Sequence, residues 1–308
     1  MIDTIVAPGA RRKRRASLLS ERRLVPFLLI LPTMAILAGL ILYPLLSSFY
    51  ASAFSYNLSK PYLGRHFVGM GNFLTAASDP LFIESVRLTL ILSAVAVGVE
   101  LILGLAVATL LNSSLQGMRI LQTLIIIPLV MTPVVAGLTW RVILNPSIGI
   151  ANFLLESLGL PASEWNGSPR TALLSVAIVD VWRSTPFVAI ILLAGLQGLP
   201  SEPLEAAKVD GAGRWNSFRY ITLPMLRPLI TVALLIRIIY SLQIFDTIMI
   251  LTQGGPGFAT EVFNVHLYKT MFRFFDVGYG SALSIVMLAI TLSLCLIFYR
   301  YTEVSTGK

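Results

Sequence analysis

The sequence predicts an all-α integral membrane protein with six crossing helices, on three observations. Hydrophobic residues fill 56% of the 308 positions against 12% charged, the mean hydropathy is +0.81, and the apolar residues gather into runs near the ~20 needed to cross a hydrocarbon layer. The formal net charge of +8 does not point to nucleic acid. Lys and Arg bunch between Arg11 and Arg23, and no aromatic-basic repeat follows on which bases could stack. The chain therefore divides into a basic segment, 1–23, and a membrane domain, 24–308.

Taken in order, the spans are expected near Leu24 to Tyr50, Leu88 to Leu111, Ile120 to Leu144, Thr171 to Leu196, Pro228 to Leu251 and Tyr279 to Tyr301, the first, third and sixth being the clearest. The first is read as a retained span rather than a cleaved signal, because the uncharged run from Leu24 to Ser59 far exceeds a signal's apolar core. Basic residues in the loops orient the bundle. With the N-terminus in the cytoplasm, that side holds the seven between Arg11 and Arg23 plus Arg119, Lys208, Arg214, Arg219, Arg227, Arg300 and Lys308. The outside holds Lys60, Arg65, Arg170, Lys269 and Arg273. Both termini are thus expected in the cytoplasm.

That orientation puts the loop at about 199–227 inside. Its sequence reads as a short helix beginning near Ser201-Glu202-Pro203, where proline suits the first helical positions and acidic residues suit the positive end of the helix dipole. It ends at Gly211, which can take the left-handed backbone of a helix stop. Arg214 to Tyr220 resumes a helical pattern, which Pro224 and Pro228 are expected to break. The outer loops carry turn and aromatic residues: Val68-Gly69-Met70-Gly71-Asn72-Phe73, the stretch from Asn145 to Arg170, and Thr252-Gln253-Gly254-Gly255-Pro256-Gly257. Neither an internal repeat nor a linker interrupts the order.

Catalysis finds no support. The phosphate-cradling pattern GxxxxGK[ST] is missing, so the chain should not hydrolyse ATP by itself. Its two histidines, His66 and His266, fall in different outer loops without an acidic pairing pattern for a triad or a ligand set for a metal. The lone cysteine, Cys295, lies in an apolar span and reads as a small packing residue. No cofactor is expected on this chain.

Ionisable residues inside spans say more, because a charge at the bilayer centre costs ~2.5–3.5 kcal/mol on insertion scales and must face protein or water. Glu100, Arg141, Asp180, Arg183, Arg237 and Asp246 qualify. On the fourth span Asp180, Arg183, Ser184 and Phe187 share one helical face, and on the fifth Arg237, Tyr240, Ser241 and Ile244 repeat that spacing. Two readings stand side by side. These faces form a polar, aromatic path for a hydroxylated solute; or Asp180 neutralises Arg183 one turn away and Arg237 pairs with Glu100 to hold the bundle. Asp246 falls on the face opposite Arg237 at ~100° per residue and reads, with Gln243, as structural. Gly104 and Ala108 carry the small-xxx-small spacing of helix packing.

The cytoplasmic loop is specific enough to carry a resemblance. Glu205-Ala206-Ala207, Asp210-Gly211-Ala212, Phe218, Ile221, Leu223-Pro224 and Pro228 resemble the EAA loop of permease subunits in ATP-binding-cassette (ABC) importers. Phe67 to Phe73, Val181-Trp182-Arg183-Ser184-Thr185-Pro186-Phe187, Phe245-Asp246 with Gly254-Gly255-Pro256, and Phe274 to Ala282 are similar to the carbohydrate-uptake branch, specifically the maltose-transporter-type first permease. The resemblance implies the type I importer permease fold and a binding-protein-dependent sugar importer in the bacterial cytoplasmic membrane. Its partners would be a second related permease, two ATPase subunits carrying ATP and Mg, an external solute-binding protein, and membrane lipid. It further implies that Glu205, Ala206, Ala207, Asp210, Gly211 and Ala212 form a coupling helix in a groove of one ATPase. Glu205 would be the polar contact, Ala206 and Ala207 would permit close fit, and Gly211 would make the turn. Asp180, Arg183, Ser184, Phe187, Arg237, Tyr240 and Ser241 would line the substrate path.

Two departures bear on substrate. Arg183 stands where Lys or another polar residue is frequent in that family, and Arg237 lies deep in the fifth span, which points toward an anionic sugar derivative if both face the cavity. A secondary transporter would be expected to show two related halves with interrupted helices, and a non-transporting scaffold would recruit an ATPase without passing solute.

Overall fold

The computed structural model describes residues 28–113 and 117–306; the basic segment 1–23 lies outside them. Helix α1, Leu28–Ser52, leads into a two-stranded antiparallel hairpin, β1 Phe54–Ser55 with β2 His66–Phe67, in which Phe54 faces Phe67. A short α2, Gly71–Ser78, precedes α3, Pro80–Leu111. The latter starts a full two turns before the expected Leu88, because Asp79 caps it. Its carboxylate accepts from Leu81 N at 2.9 Å and Phe82 N at 3.4 Å, and Pro80 supplies a ready-made first-turn φ.

The third expected span is a broken one. Helix α4, Met118–Val130, and α5, Pro133–Ile143, meet at 98°. Pro133 lacks an N–H and forces Thr132 into extended backbone, ψ 146°, while the Thr132 hydroxyl accepts from Val135 N to open α5 in a new direction. After α6, Ile150–Ser157, helix α7, Ala172–Gln197, returns close to the expected bounds.

Helix α8, Glu202–Val209, is followed by α9, Arg214–Leu242, which replaces the expected fifth span at both ends. It runs through Pro224 and Pro228 instead of breaking there. Leu223 N donates to Phe218 O in a π turn over Phe218–Thr222, which takes up the register shift that the donorless Pro224 imposes. The helix then stops at Leu242, and α10, Asp246–Leu251, is a separate helix with Asp246 in its first turn at the positive end of the dipole. Asp246 is therefore not on a helical face with Arg237, and Ile244 is not on the face of Tyr240. Helix α11, Phe263–Tyr268, and the long α12, Val277–Thr306, complete the chain. Among the described residues five helices are long and apolar enough to cross a membrane, and the bent α4–α5 pair, taken as one span, brings the number to six.

The bundle is built on α3 and α7, which pack along their length. Gly104 makes the approach possible: a Cβ there would lie 2.7 Å from Val188 Cγ1 and 3.2 Å from the Ala189 backbone nitrogen. Ala108, Val188 and Leu192 continue that contact toward the α8 end, and a second buried cluster of Leu92, Val176, Val179, Ile248 and Val262 lies toward the hairpin end. Between Val179 and Val188 the buried residues of α7 are Asp180, Ser184 and Pro186, so two of the three are polar. The polar site occupies that gap. Helix α1 packs mainly on α12, leaving Leu28, Leu29, Ile36 and Leu40 uncovered.

Candidate functional site: a charged cavity and an exposed helix

The gap between the two apolar clusters is held by a three-residue charge network drawn from three helices. Arg237 of α9 donates from Nε to Glu100 Oε2 at 2.6 Å and from Nη2 to Glu100 Oε1 at 2.7 Å. This is the bidentate fork that suits guanidinium and carboxylate best. The same Nη2 donates to Asp180 Oδ2 at 3.1 Å, and Ser184 Oγ reaches Asp180 Oδ1 at 3.4 Å. Glu100, Asp180 and Arg237 are 0%, 3% and 4% exposed, so each charge is out of water and depends on the others.

The expected Arg237–Glu100 pair is present, and the expected Asp180–Arg183 pair is not. Asp180 turns into the seam toward Arg237, whereas Arg183, about 60° further round the helix, is half-buried at its edge with Nε unpartnered. Beside it lies a cavity of about 240 Å³ lined by Arg183, Ser184, Phe187, Arg237, Tyr240 and, from the α4 elbow, Leu129. Five of the seven residues expected along a solute path thus converge on one space. The other two sit behind it: Asp180 braces Arg237, and Ser241 is buried with its hydroxyl unpartnered. Leu129 joins the lining because α4 packs against α7, a contact that an apolar span residue does not signal in sequence.

Helix α8 differs in every respect. Glu202 and Glu205 occupy its first turn, Pro203 its first positions, and Lys208 its last turn. Gly211, at φ +80°, closes it with paired capping bonds: Gly211 N to Lys208 O at 3.1 Å and Ala212 N to Ala207 O at 2.8 Å. These are the two hydrogen bonds of a Schellman stop. Ala207 packs inward, 8% exposed, while Glu205, Ala206, Asp210 and Gly211 are exposed and Ala212 is half-buried. The small residue available to a partner is therefore Ala206. Val209 and Trp215, 88% and 68% exposed, extend this apolar and polar surface.

A third polar group escaped the sequence reading. Glu261 is buried just before α11, where its Oε1 meets His266 Nδ1 at 3.0 Å and its Oε2 accepts from Lys269 Nζ. Burial pushes the Glu261 carboxyl up, but these two donors outweigh it and hold the group below its ordinary 4.5. In the sequence Lys269 stands only as an outer-loop charge, and His266 as one of two histidines in different outer loops. Their i, i+3 spacing on one turn was the available signal.

Residues 100–305 match the family described as binding-protein-dependent transport system inner membrane component. The trehalose/maltose transport system permease protein MalF of Thermococcus litoralis is 36% identical over 277 residues, 89% of this chain and 92% of that protein. The sulfoquinovosyl glycerol transport system permease protein SmoG of Agrobacterium fabrum is 34% identical over 278 residues, 90% of each. A chain of the bacterial alginate ABC transporter, solved in complex with an alginate pentasaccharide-bound periplasmic protein, superposes with a TM-score of 0.81 at 23% identity. That match covers 94% of this chain and 97% of the other and establishes the type I importer permease fold. On the family match and these relatives, this multi-pass membrane protein belongs to the binding-protein-dependent transport system inner membrane components, the permease subunits of ABC transporters.

Proposed function

We propose that the chain is one of two related permease subunits of a bacterial importer that carries a sugar or sugar derivative across the cytoplasmic membrane. An external binding protein delivers the solute at the hairpin end. Two ATPase subunits, holding ATP and Mg, engage the α8 end. The observation that carries the reading is the convergence of Arg183, Ser184, Phe187, Arg237 and Tyr240 on one cavity inside the bundle. Hydroxyl, guanidinium and aromatic groups together match a polyol, whose hydroxyls hydrogen-bond and whose ring faces stack. At about 240 Å³ the cavity is smaller than the ~300–1,000 Å³ usual for small-molecule sites, as one wall of a site shared with a second permease would be. The names of the relatives fit a sugar without choosing one.

In this reading α8 is the coupling helix. Glu205 and Ala206 face the ATPase, Asp210 adds a second polar contact, and Gly211 with Ala212 fixes the angle at which the chain leaves. Closure of the ATPases on ATP then displaces α8, and α7 and α9, which flank it, open the cavity to the other side. Two substitutions test the two halves of the mechanism separately. Glu205→Arg is expected to lower uptake at least tenfold while ATP hydrolysis persists, and Tyr240→Ala to lower uptake severalfold with subunit assembly unchanged. Uptake at the wild-type level in both variants, measured with labelled solute in cells, would remove both assignments.

A further inference from the structure

The cavity wall is rich in hydrogen-bond donors and poor in acceptors. Its charged side chains, Arg183 and Arg237, are both guanidinium groups, while Glu100 and Asp180 do not line it. Arg237 gives Nε and Nη2 to those carboxylates, which leaves the two N–H groups of Nη1 over. No side-chain nitrogen of Arg183 has a hydrogen-bond partner among the described residues, and its Nε is buried in that condition. Against these donors the wall offers two side-chain acceptors, the hydroxyl oxygens of Ser184, whose own hydrogen is given to Asp180, and of Tyr240. A neutral polyol brings a donor with every acceptor, so it would leave its own hydroxyl hydrogens facing N–H groups. An oxyanion brings acceptors alone, and a guanidinium holds it by two parallel charge-assisted bonds.

We propose that the solute is a sugar derivative bearing an oxyanion, a carboxylate, sulfonate or phosphate ester, and that Arg183 is the residue that reads it. The inference rests on the cavity being the solute path. Arg237 could not take this role by itself, because its fork is already closed on Glu100. Electrostatics offers Arg183 one competing duty. Two carboxyl groups, Glu100 and Asp180, face the single guanidinium of Arg237, and Arg183 would offset any surplus negative charge from the seam's edge without touching solute.

The experiment is equilibrium dialysis on the assembled permease–ATPase complex in nanodiscs, without the binding protein, whose own selectivity would otherwise enter. The probes are labelled glucose, glucuronate, 6-deoxy-6-sulfoglucose and glucose 6-phosphate. At least one anionic sugar is expected to bind tenfold or more tighter than glucose, and the ranking of the three identifies the oxyanion. Arg183→Gln is expected to remove that advantage while glucose binding stays within twofold, and Arg183→Lys, which keeps the charge but loses the fork, to retain only part of it. Equal binding of glucose and all three anions overturns the proposal. So does a loss in Arg183→Gln that is alike for neutral and anionic sugars and fully restored in Arg183→Lys, the pattern of a purely offsetting charge. Both outcomes leave the cavity as a sugar path. If none of the four probes binds, the path reading itself fails and takes this inference with it.

Discussion

The charged cavity and helix α8 are both polar islands in an apolar chain, and they are stabilised in opposite ways. The cavity's charges are fully enclosed, come from three helices and satisfy one another across 137 and 57 residues of sequence. The polar groups of α8 stand mostly in water, and its hydrogen bonds close within the twelve residues from Ser201 to Ala212. The first is costly to break and rigid because its parts have no solvent to fall back on. The second is cheap to alter and available to another protein. A transporter needs both: a fixed polar surface where solute passes, and a free one where force is applied.

The largest effect should come from breaking the enclosed network. Arg237→Met leaves Glu100, 0% exposed, as an uncompensated buried charge, which costs about 3–5 kcal/mol. Thermal unfolding of the detergent-solubilised complex is expected to show that loss. A triple neutral variant, Glu100→Gln with Asp180→Asn and Arg237→Met, should recover more than half of it, since a neutral set has no stranded charge. A triple variant as unstable as the single one would mean that side-chain packing, and not charge pairing, holds the seam.

The same contrast governs what could be read from the sequence. Helix α8 was legible to within a residue because Pro203, Glu205 and Gly211 act on their own neighbours, and local rules need no partner. Spans α1, α3, α7 and α12 were legible by length. The cavity was legible only as a set of ionisable residues. That Arg237 meets Glu100 followed from the need of each for a partner, but that Asp180 joins them rather than Arg183 depends on how α7 is rotated against α3 and α9, which Gly104 and Val188 decide. The break in the third span was hidden because an apolar average counts residues and not direction, although Thr132-Pro133 marked a new helix start. Pro224 and Pro228 misled in the opposite sense, since a π turn absorbs what a proline removes. Leu129 lacked any local signal of what it would touch, and Glu261 had only the i, i+3 spacing of His266 and Lys269 to point to it.

A change at the end of α8 should have a much smaller effect on stability and a large one on transport. Gly211→Ala places a Cβ at φ +80°, which costs about 1–2 kcal/mol locally but meets no atom within 4 Å. The unfolding midpoint of the complex is therefore expected to move far less than in Arg237→Met, while uptake per ATP hydrolysed falls severalfold. A destabilisation equal to that of Arg237→Met would make α8 part of the bundle's core and end the contrast between the two regions.

The Glu261 group sharpens the comparison, because it is enclosed like the cavity yet local like α8, its partners lying within one helical turn of each other on α11 and its extension. Its folded-state carboxyl lies below the ordinary 4.5. A group so depressed contributes stability that is fully present above its unfolded value and is lost as pH falls through the folded one. The smallest effect follows: the unfolding midpoint of the complex should decline as pH drops below about 4.5, and Glu261→Gln should flatten that decline while lowering the midpoint at neutral pH. The decline belongs to Glu261 only if Lys269→Met, which removes one of the two donors holding the carboxyl down, makes it smaller, because the folded carboxyl then rises toward an unfolded value that the substitution leaves unchanged. A decline of undiminished size in Lys269→Met would assign it to other carboxylates and leave enclosure without consequence at this site.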